Sequence, residues 1–315
     1  MDRAAATVVG KGPSRLRFFA DGWGDPDLLV PPDVSIGPSP PITPSWVSRE
    51  TDDSGRVVRF GNYDVGDRAL PFRSQIGAVQ SVEPAREVHR TVLLMAAWNE
   101  HDPRIRVAIA ERLADQGIRS IIPENPFYGS RHPDPESHQQ IRTVSDFMQM
   151  GLAAVTEAKG LLTGMRESGH ELGVSGYSMG GNVAAIISAT LNFPIATAPL
   201  AASHSPGPVF LDGALEAGIA WDALGGIDQH ERLRAVLNSV SVLRVPPQEH
   251  LSRAVIVAGR GDGYIPMSAT RALVDHWPGS ELRVHRGGHA TLVWYRKAAL
   301  TSAIVASFDR MSRAS

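Results

Sequence analysis

Short apolar runs alternate with amphipathic stretches from about residue 87 to the end of the chain. The first run, Thr91–Met95, is apolar without a helical period, which is typical of a strand buried on both faces. Ile105, Ile109 and Leu113 then recur at the spacing of one helix face, and Gly117 is placed to end that helix. A strand followed by a helix is therefore predicted, and the same unit recurs along the chain.

The repeated units predict a mostly parallel sheet. Further strands are predicted at Ile118–Pro123, Glu171–Ser175, Pro194–Ala201, Arg253–Gly259 and Leu282–His285. Further helices are predicted near residues 137–166 and at Asn182–Leu191, Met267–His276 and Ala290–Phe308. Strands that alternate with helices imply an α/β fold whose central sheet is covered by helices on both faces. The core is predicted to comprise residues 86–201 and 253–315.

Residues 1–85 lack this rhythm. Because proline fixes φ and removes a backbone donor, a proline-rich stretch here predicts an irregular extension packed on the core. Its prolines are Pro31, Pro32, Pro38, Pro40, Pro41 and Pro44. Asp52–Gly55 is typical of a turn, so an edge hairpin is predicted between Trp46–Arg49 and Val57–Phe60.

Residues 202–252 also interrupt the alternation of strands and helices. In an open parallel sheet, ligands bind at the carboxyl ends of the strands, and this insertion leaves such an end at Ala201. We therefore predict a helical lid or cap over a substrate pocket. Phe210 and Trp221 are the aromatic side chains expected to reach that pocket.

Composition and charge narrow the classes of partner. The net charge is −2, and without a basic excess neither nucleic acid nor an anionic membrane surface is an expected partner. The chain has no cysteine, which excludes disulfides, thiol catalysis and cysteine metal sites. No apolar run is long enough for a signal peptide or a transmembrane helix, so a cytoplasmic location is expected.

The sequence Gly-Tyr-Ser-Met-Gly at residues 176–180 matches the G-x-S-x-G nucleophile elbow. The bare pattern is weak in a chain with 30 glycines, and an ordinary loop serine is the alternative. Its context strengthens it, because a predicted strand precedes the motif and a predicted helix follows it. Ser178 is therefore the predicted nucleophile, and Tyr177 is expected to lie at the substrate pocket.

A serine hydroxyl needs a base, and the base needs a carboxylate to orient it. His289 follows the last predicted strand through a glycine loop, late in the chain, where the Ser-Asp-His order places its histidine. Its nearest rival, His285, lies within the predicted strand and is interpreted as structural. Asp262 follows the strand at Arg253–Gly259 and is the predicted acid, the alternative being a turn aspartate that caps backbone amides.

An oxyanion hole needs two N–H donors near the nucleophile. One donor is expected from the residue after the nucleophile, Met179. The other is expected from the loop that follows Thr91–Met95, where the backbone N–H of Trp98 is the candidate. The Trp98 side chain could equally line the pocket wall.

A further motif, Glu-Asn-Pro-Phe-Tyr-Gly-Ser-Arg at Glu124–Arg131, lies after the second predicted strand. With Asn99–Asp102 and the serine motif, it resembles the α/β hydrolases, and more narrowly the family of α/β-hydrolase domain-containing protein 18, over about residues 85–300. This chain departs from that family at Ala-Ala-Trp-Asn-Glu, which replaces a Gly-Thr-Gly-Asp-type turn. The resemblance implies the α/β-hydrolase fold and a serine-hydrolase triad. Arg131 is expected to pair with Glu124 rather than to recognise an anionic substrate group.

Two classes of function fit these residues. The first is a serine hydrolase that cleaves a carboxylic ester, including a lipid-like acyl ester, without a metal or an organic cofactor. Thioester or amide cleavage and acyl transfer would use the same triad. The second is a catalytically silent binding or scaffold protein on the same fold. The presence of all three triad residues argues against the second class.

Overall fold

The computed structural model describes residues 17–29, 39–133 and 141–313. The prolines at residues 31–38 and the predicted helical residues 137–140 lie outside these ranges. The strands of the described residues form one nine-stranded sheet. They are Ser45–Thr51 (β1), Val57–Asp64 (β2), Ile76–Glu83 (β3), Arg90–Met95 (β4), Ile118–Pro123 (β5), Glu171–Tyr177 (β6), Ala196–Leu200 (β7), Val255–Gly259 (β8) and Glu281–His285 (β9).

The strand order across the sheet is β1-β2-β3-β5-β4-β6-β7-β8-β9. The pairs from β5 to β9 are all parallel, as predicted. Strands β1, β2 and β3 and the β3–β5 pair are antiparallel. The carboxyl ends of β4, β6, β8 and β9 therefore meet at one edge of the sheet, where the loops that follow them can share a site.

The N-terminal strands correct one prediction. Irregular structure was expected over residues 1–85 apart from one hairpin. The hairpin is confirmed, because β1 pairs with β2 from Ser45 to Thr51. The expectation is wrong for Ile76–Glu83, which pairs with β2 on one side and β5 on the other. This third strand joins the hairpin to the parallel part of the sheet.

Helices cover both faces of the sheet. The helices of the described part are Arg104–Asp115 (α1), Val144–Met165 (α2), Met179–Thr190 (α3), Pro206–Leu211 (α4), Trp221–Leu224 (α5), His230–Asn238 (α6), Met267–His276 (α7), His289–Tyr295 (α8) and Lys297–Ser312 (α9). None of them, in the ranges that the structure describes, is long and apolar enough to cross a membrane.

The alternation of side chains along β4 divides the core into two layers. Val92 and Leu94 pack in a cluster with residues of α1 and α9, such as Leu113. Leu93 and Met95 point to the other face and join a cluster with residues of α2, α3 and α7. A strand buried on both faces needs apolar side chains at every position, which explains the continuous apolar run seen in the sequence.

Candidate active site

Ser178 lies at a tight turn between β6 and α3. Its φ is 58° and its ψ is −117°, a strained conformation for a residue other than glycine. The neighbouring glycines are required because a side chain at either position would collide with the backbone. A Cβ on Gly176 would lie 2.4 Å from the carbonyl oxygen of Gly180, and a Cβ on Gly180 would lie 2.4 Å from that of Met95. The Gly-x-Ser-x-Gly pattern therefore allows the turn to pack against the end of β4 and to present the serine at its apex.

His289 and Asp262 form the second part of the site. His289 Nδ1 lies 2.7 Å from Asp262 Oδ2, and both side chains are largely buried. Since a carboxylate only accepts, Nδ1 carries the hydrogen, and in the neutral imidazole Nε2 is then the acceptor. The other carboxylate oxygen, Oδ1, accepts from the amides of Tyr264 and Ile265, each at 2.9 Å. Asp262 therefore makes the contacts that each of its two predicted roles requires, with the amides of the turn and with the imidazole.

Two tyrosines hold the ring of His289. The ring centroids of Tyr177 and Tyr264 lie 5.1 Å and 5.2 Å from that of His289. The hydroxyl of Tyr177 also donates to the backbone carbonyl of His289 at 2.6 Å. Tyr264 was not predicted, although its position two residues after Asp262 is a signal that it shares the same loop. His285 lies at the end of β9, as predicted.

Ser178 and His289 line one cavity of about 430 Å³. Tyr177, which was expected at the pocket, also lines it, as do Met179 and Trp98. Phe210 contributes to the wall, and Trp221 does not. The ring of Trp221 instead faces that of His230, with centroids 5.8 Å apart, because the short helix α5 turns it toward α6.

Four aromatic rings from separate parts of the chain form one wall of this cavity. Trp98 contacts Phe18, Phe147 and Phe210, with ring centroids 5.7, 5.5 and 5.7 Å away. Phe210 also contacts Phe18 at 5.2 Å and Phe147 at 5.4 Å. Sequence analysis missed Phe18 and Phe147. The adjacent aromatic pair Phe18-Phe19 in a polar segment was the available signal for Phe18.

Phe18 is held in place by an N-terminal strap, defined as residues 17–29. Its amide donates to the carbonyl of Gly218, and its carbonyl accepts from the amide of Ala220. The indole N–H of Trp23 donates to the carbonyl of Leu224 at 3.0 Å. The strap therefore packs against the 202–252 insertion, and the two segments meet at the cavity wall.

The loop Glu124–Arg131 lies beside the site, with Asn125 in the cavity wall. The predicted ion pair between Arg131 and Glu124 is wrong. Arg131 makes a bidentate pair with Glu157 of α2 at 2.7 and 2.8 Å, and only the backbone carbonyl of Glu124 accepts from it. The Glu124 carboxylate turns instead to Ser130, accepting from its amide at 2.9 Å. Arg131 is 1% exposed, so this pair is buried and is not positioned to meet a substrate.

Solved structures show the same architecture. An acetyl xylan esterase from Paenibacillus sp. R4 superimposes with a TM-score of 0.59 at 16% identity, covering 84% of this chain and 88% of that chain. Acetyl xylan esterase 1 from Thermoanaerobacterium sp. JW/SL YS485 gives 0.55 at 12% identity, covering 94% of this chain and 99% of that chain. A cold-adapted esterase from an Arctic intertidal metagenomic library gives 0.50 at 18%, covering 82% and 99%. At these identities the likeness shows the fold alone.

The mostly parallel sheet, the helices on both faces and these structural neighbours define a protein of the α/β-hydrolase fold. The family model described as alpha/beta hydrolase domain containing 18 matches residues 63–243 and 227–310. The chain belongs to that family, as its motifs had indicated.

Proposed function

We propose that this protein is a serine hydrolase that cleaves a carboxylic ester through an acyl-enzyme on Ser178. The observation that carries the proposal is that the turn of Ser178 and the hydrogen-bonded pair of His289 and Asp262 meet at one cavity. A serine at a strained strand-to-helix turn and a histidine bonded to a buried aspartate line the same cavity. The esterase names of the structural neighbours support the same class of reaction.

The first half-reaction begins at Ser178. Its Oγ attacks the ester carbonyl carbon while His289 Nε2 takes the hydroxyl proton. The imidazolium that forms is stabilised by Asp262, which bonds Nδ1 at 2.7 Å. The negative charge on the former carbonyl oxygen is met by the backbone N–H groups of Met179 and Trp98, our candidates for the oxyanion hole.

The first half-reaction ends when the tetrahedral intermediate collapses: the C–O bond to the alcohol breaks, His289 gives its proton to the departing alkoxide, and the acyl group stays bonded to Ser178 Oγ. The second half-reaction returns the enzyme to its starting state. Water then attacks the acyl carbonyl with His289 again as the base. When the second intermediate collapses, His289 gives its proton to Ser178 Oγ and the carboxylic acid leaves, so water is the one co-reactant consumed.

We assign the acyl group of the substrate to the aromatic part of the cavity. Its wall there consists of Phe18, Trp98, Phe147 and Phe210, which match an apolar chain and offer little to a charged one. Phe210 comes from the 202–252 insertion, which we assign as the lid, and Phe18 comes from the N-terminal strap. Small or lipid-like acyl esters are therefore the proposed substrates.

Labelling with a fluorophosphonate probe tests the proposal. The wild-type chain should be labelled, and a following screen of p-nitrophenyl esters should show turnover. Ser178→Ala should abolish both, whereas the surface variant Ser168→Ala should change neither. A wild-type chain that is neither labelled nor active on any ester length would instead identify a catalytically silent binding protein on this fold.

A further inference from the structure

A charged ion pair lies in the wall of this largely apolar cavity. Arg106 Nε donates to Glu100 Oε1 at 2.5 Å, and the two side chains are 8% and 10% exposed. Both residues line the cavity, on the side of the loop that follows β4. Burial of two charges is costly unless they are fully bonded, so the further contacts of this pair show what it holds.

Arg106 joins the ends of two neighbouring strands. Its NH1 group donates to the carbonyl of Leu94 in β4 at 2.8 Å and to that of Pro123 in β5 at 2.7 Å. These carbonyls lie at the carboxyl ends of their strands, where the sheet ladder stops. One guanidinium thus sets the position at which the loop leaves β4.

Glu100 holds the other end of the same loop. Its Oε2 accepts from the amide of Ala97 at 3.3 Å, while its Oε1 accepts from Arg106. The loop between these anchors contains Trp98, whose N–H is our second oxyanion donor, and Asn99, whose φ is 59°. A strained backbone persists only when its surroundings determine it.

The anchored loop lies against the nucleophile turn. A Cβ on Gly180 would approach the carbonyl oxygens of Met95 and Ala96 to 2.4 and 2.8 Å, so the two backbones are in direct contact there. A small displacement of the loop would therefore change the distance between the N–H of Trp98 and the oxyanion. Preorganised donors contribute to catalysis only when they are held at that distance.

We propose that Arg106 and Glu100 are positioning residues that set the oxyanion hole. The inference rests on the proposed serine-hydrolase function. A role in recognising a substrate anion is less well supported, because the charge of Arg106 is already paired with Glu100 and three of its hydrogen bonds are made within the protein.

The test uses Arg106→Met and the double variant Glu100→Met, Arg106→Met in the full chain. The double variant leaves no unpaired buried charge and so protects the fold. Arg106→Lys keeps the charge with fewer donors. Arg104→Met is the matched control, since Arg104 lies on the same helix with its side chain 88% exposed.

Turnover of a short p-nitrophenyl ester gives kcat and KM. Inhibition constants are measured for an alkyl boronic acid, which forms a tetrahedral adduct on the serine, and for an alcohol of the same chain length.

In the folded double variant, kcat should fall by ~10²–10³-fold, the effect of losing one oxyanion donor. The inhibition constant of the boronic acid should rise by a similar factor, whereas that of the alcohol should stay within about threefold. The kcat of Arg106→Lys should lie between that of the wild type and that of the double variant. The proposal is overturned if the double variant retains the kcat of Arg104→Met, or if boronic acid and alcohol weaken equally. A wild-type chain that neither turns over ester nor binds the boronic acid would mark a failure of the proposed function itself.

Discussion

His289 Nδ1 and Asp262 Oδ2 lie 2.7 Å apart although the two residues are 27 positions apart in the chain. The loops that carry them are joined directly, because the amide of Gly261 donates to the carbonyl of Gly287 at 3.0 Å. Two backbone amides fix the second oxygen of the carboxylate. The pair is therefore set by backbone contacts and not only by side-chain rotamers.

Replacing Asp262 by asparagine should lower kcat by ~10⁴-fold while leaving KM near its wild-type value. The asparagine amide keeps the shape of the side chain, but an N–H directed at Nδ1 would favour the wrong imidazole tautomer. Ester turnover at neutral pH measures the effect. Asp275→Asn is the control, because Asp275 is exposed on α7. A loss of less than tenfold would show that another carboxylate orients His289.

Two replacements of Ser178 separate catalysis from backbone strain. Ser178→Ala and Ser178→Gly should both lose turnover, by up to ~10⁶-fold. Since the φ of this residue is 58°, glycine relieves strain that alanine keeps, and Ser178→Gly should be more stable than Ser178→Ala by about 1 kcal/mol. Urea unfolding measures the difference. A more stable alanine variant would contradict the strain at this turn.

Local signals were sufficient for the parallel part of the fold, for the strand-to-helix turn at Ser178 and for the contact between His289 and Asp262. These features depend on residues that are adjacent in the chain, so they are visible in the sequence. They are the apolar run of β6, the glycines around Ser178 and the glycine loop before His289. The strand Ile76–Glu83 was missed because Gly77 interrupts its pattern. Its pairing partner β5 lies about 40 residues further along the chain, beyond the reach of local propensity.

The sequence could not show which of several similar residues a side chain contacts when the partner lies far away in the chain. Arg131 has Glu124 seven residues away, yet it pairs with Glu157, 26 residues away on α2. Phe18 and Phe147 reach the cavity only because the strap and α2 meet beside Trp98. In each case the tertiary arrangement decides which of several chemically suitable groups is in contact.

The aromatic wall leads to a prediction about acyl length. Phe210→Ala enlarges the cavity, so the preferred ester should become longer. Each extra methylene that the cavity accepts is worth ~0.8 kcal/mol, or about fourfold in kcat/KM. Trp221→Ala is the matched control from the same insertion, since Trp221 does not line the cavity. A p-nitrophenyl ester series checks both. Identical profiles for the wild type and Phe210→Ala would show that the acyl group does not bind against this wall.

Arg131 and Glu157 should dominate the stability of the loop beside the site. Arg131→Met leaves the Glu157 carboxylate buried without its cation, and the free energy of unfolding should fall by about 3–5 kcal/mol. Adding Glu157→Gln removes that charge and keeps an acceptor for the hydroxyl of Tyr63, which bonds Glu157 at 2.8 Å. The double variant should therefore be more stable than Arg131→Met alone in urea unfolding. Equal losses would show that the charge is not the cause.

The last prediction concerns acid stability and His250. This side chain is 5% exposed, and its burial lowers the pKa of the imidazole from 6.5 to about 4, with the positive charge of Arg253 acting in the same direction. A hydrogen bond to the backbone of Ser188 partly opposes the shift. Above pH 6.5 the histidine is neutral in both states and has no effect. As the pH falls from 6.5 to 4, only the unfolded chain takes up the proton, so the folded state loses stability.

The expected loss from His250 over that range is about 3 kcal/mol, because each pKa unit corresponds to ~1.36 kcal/mol. Other groups also titrate there, so the variant His250→Leu isolates the contribution. Between pH 7 and pH 4 the wild type should lose about 3 kcal/mol more than His250→Leu in urea unfolding. His89→Gln is the control, since the His89 side chain is 76% exposed, and it should follow the wild type. Parallel pH profiles for His250→Leu and the wild type would mean that the pKa of His250 is not lowered in the folded protein.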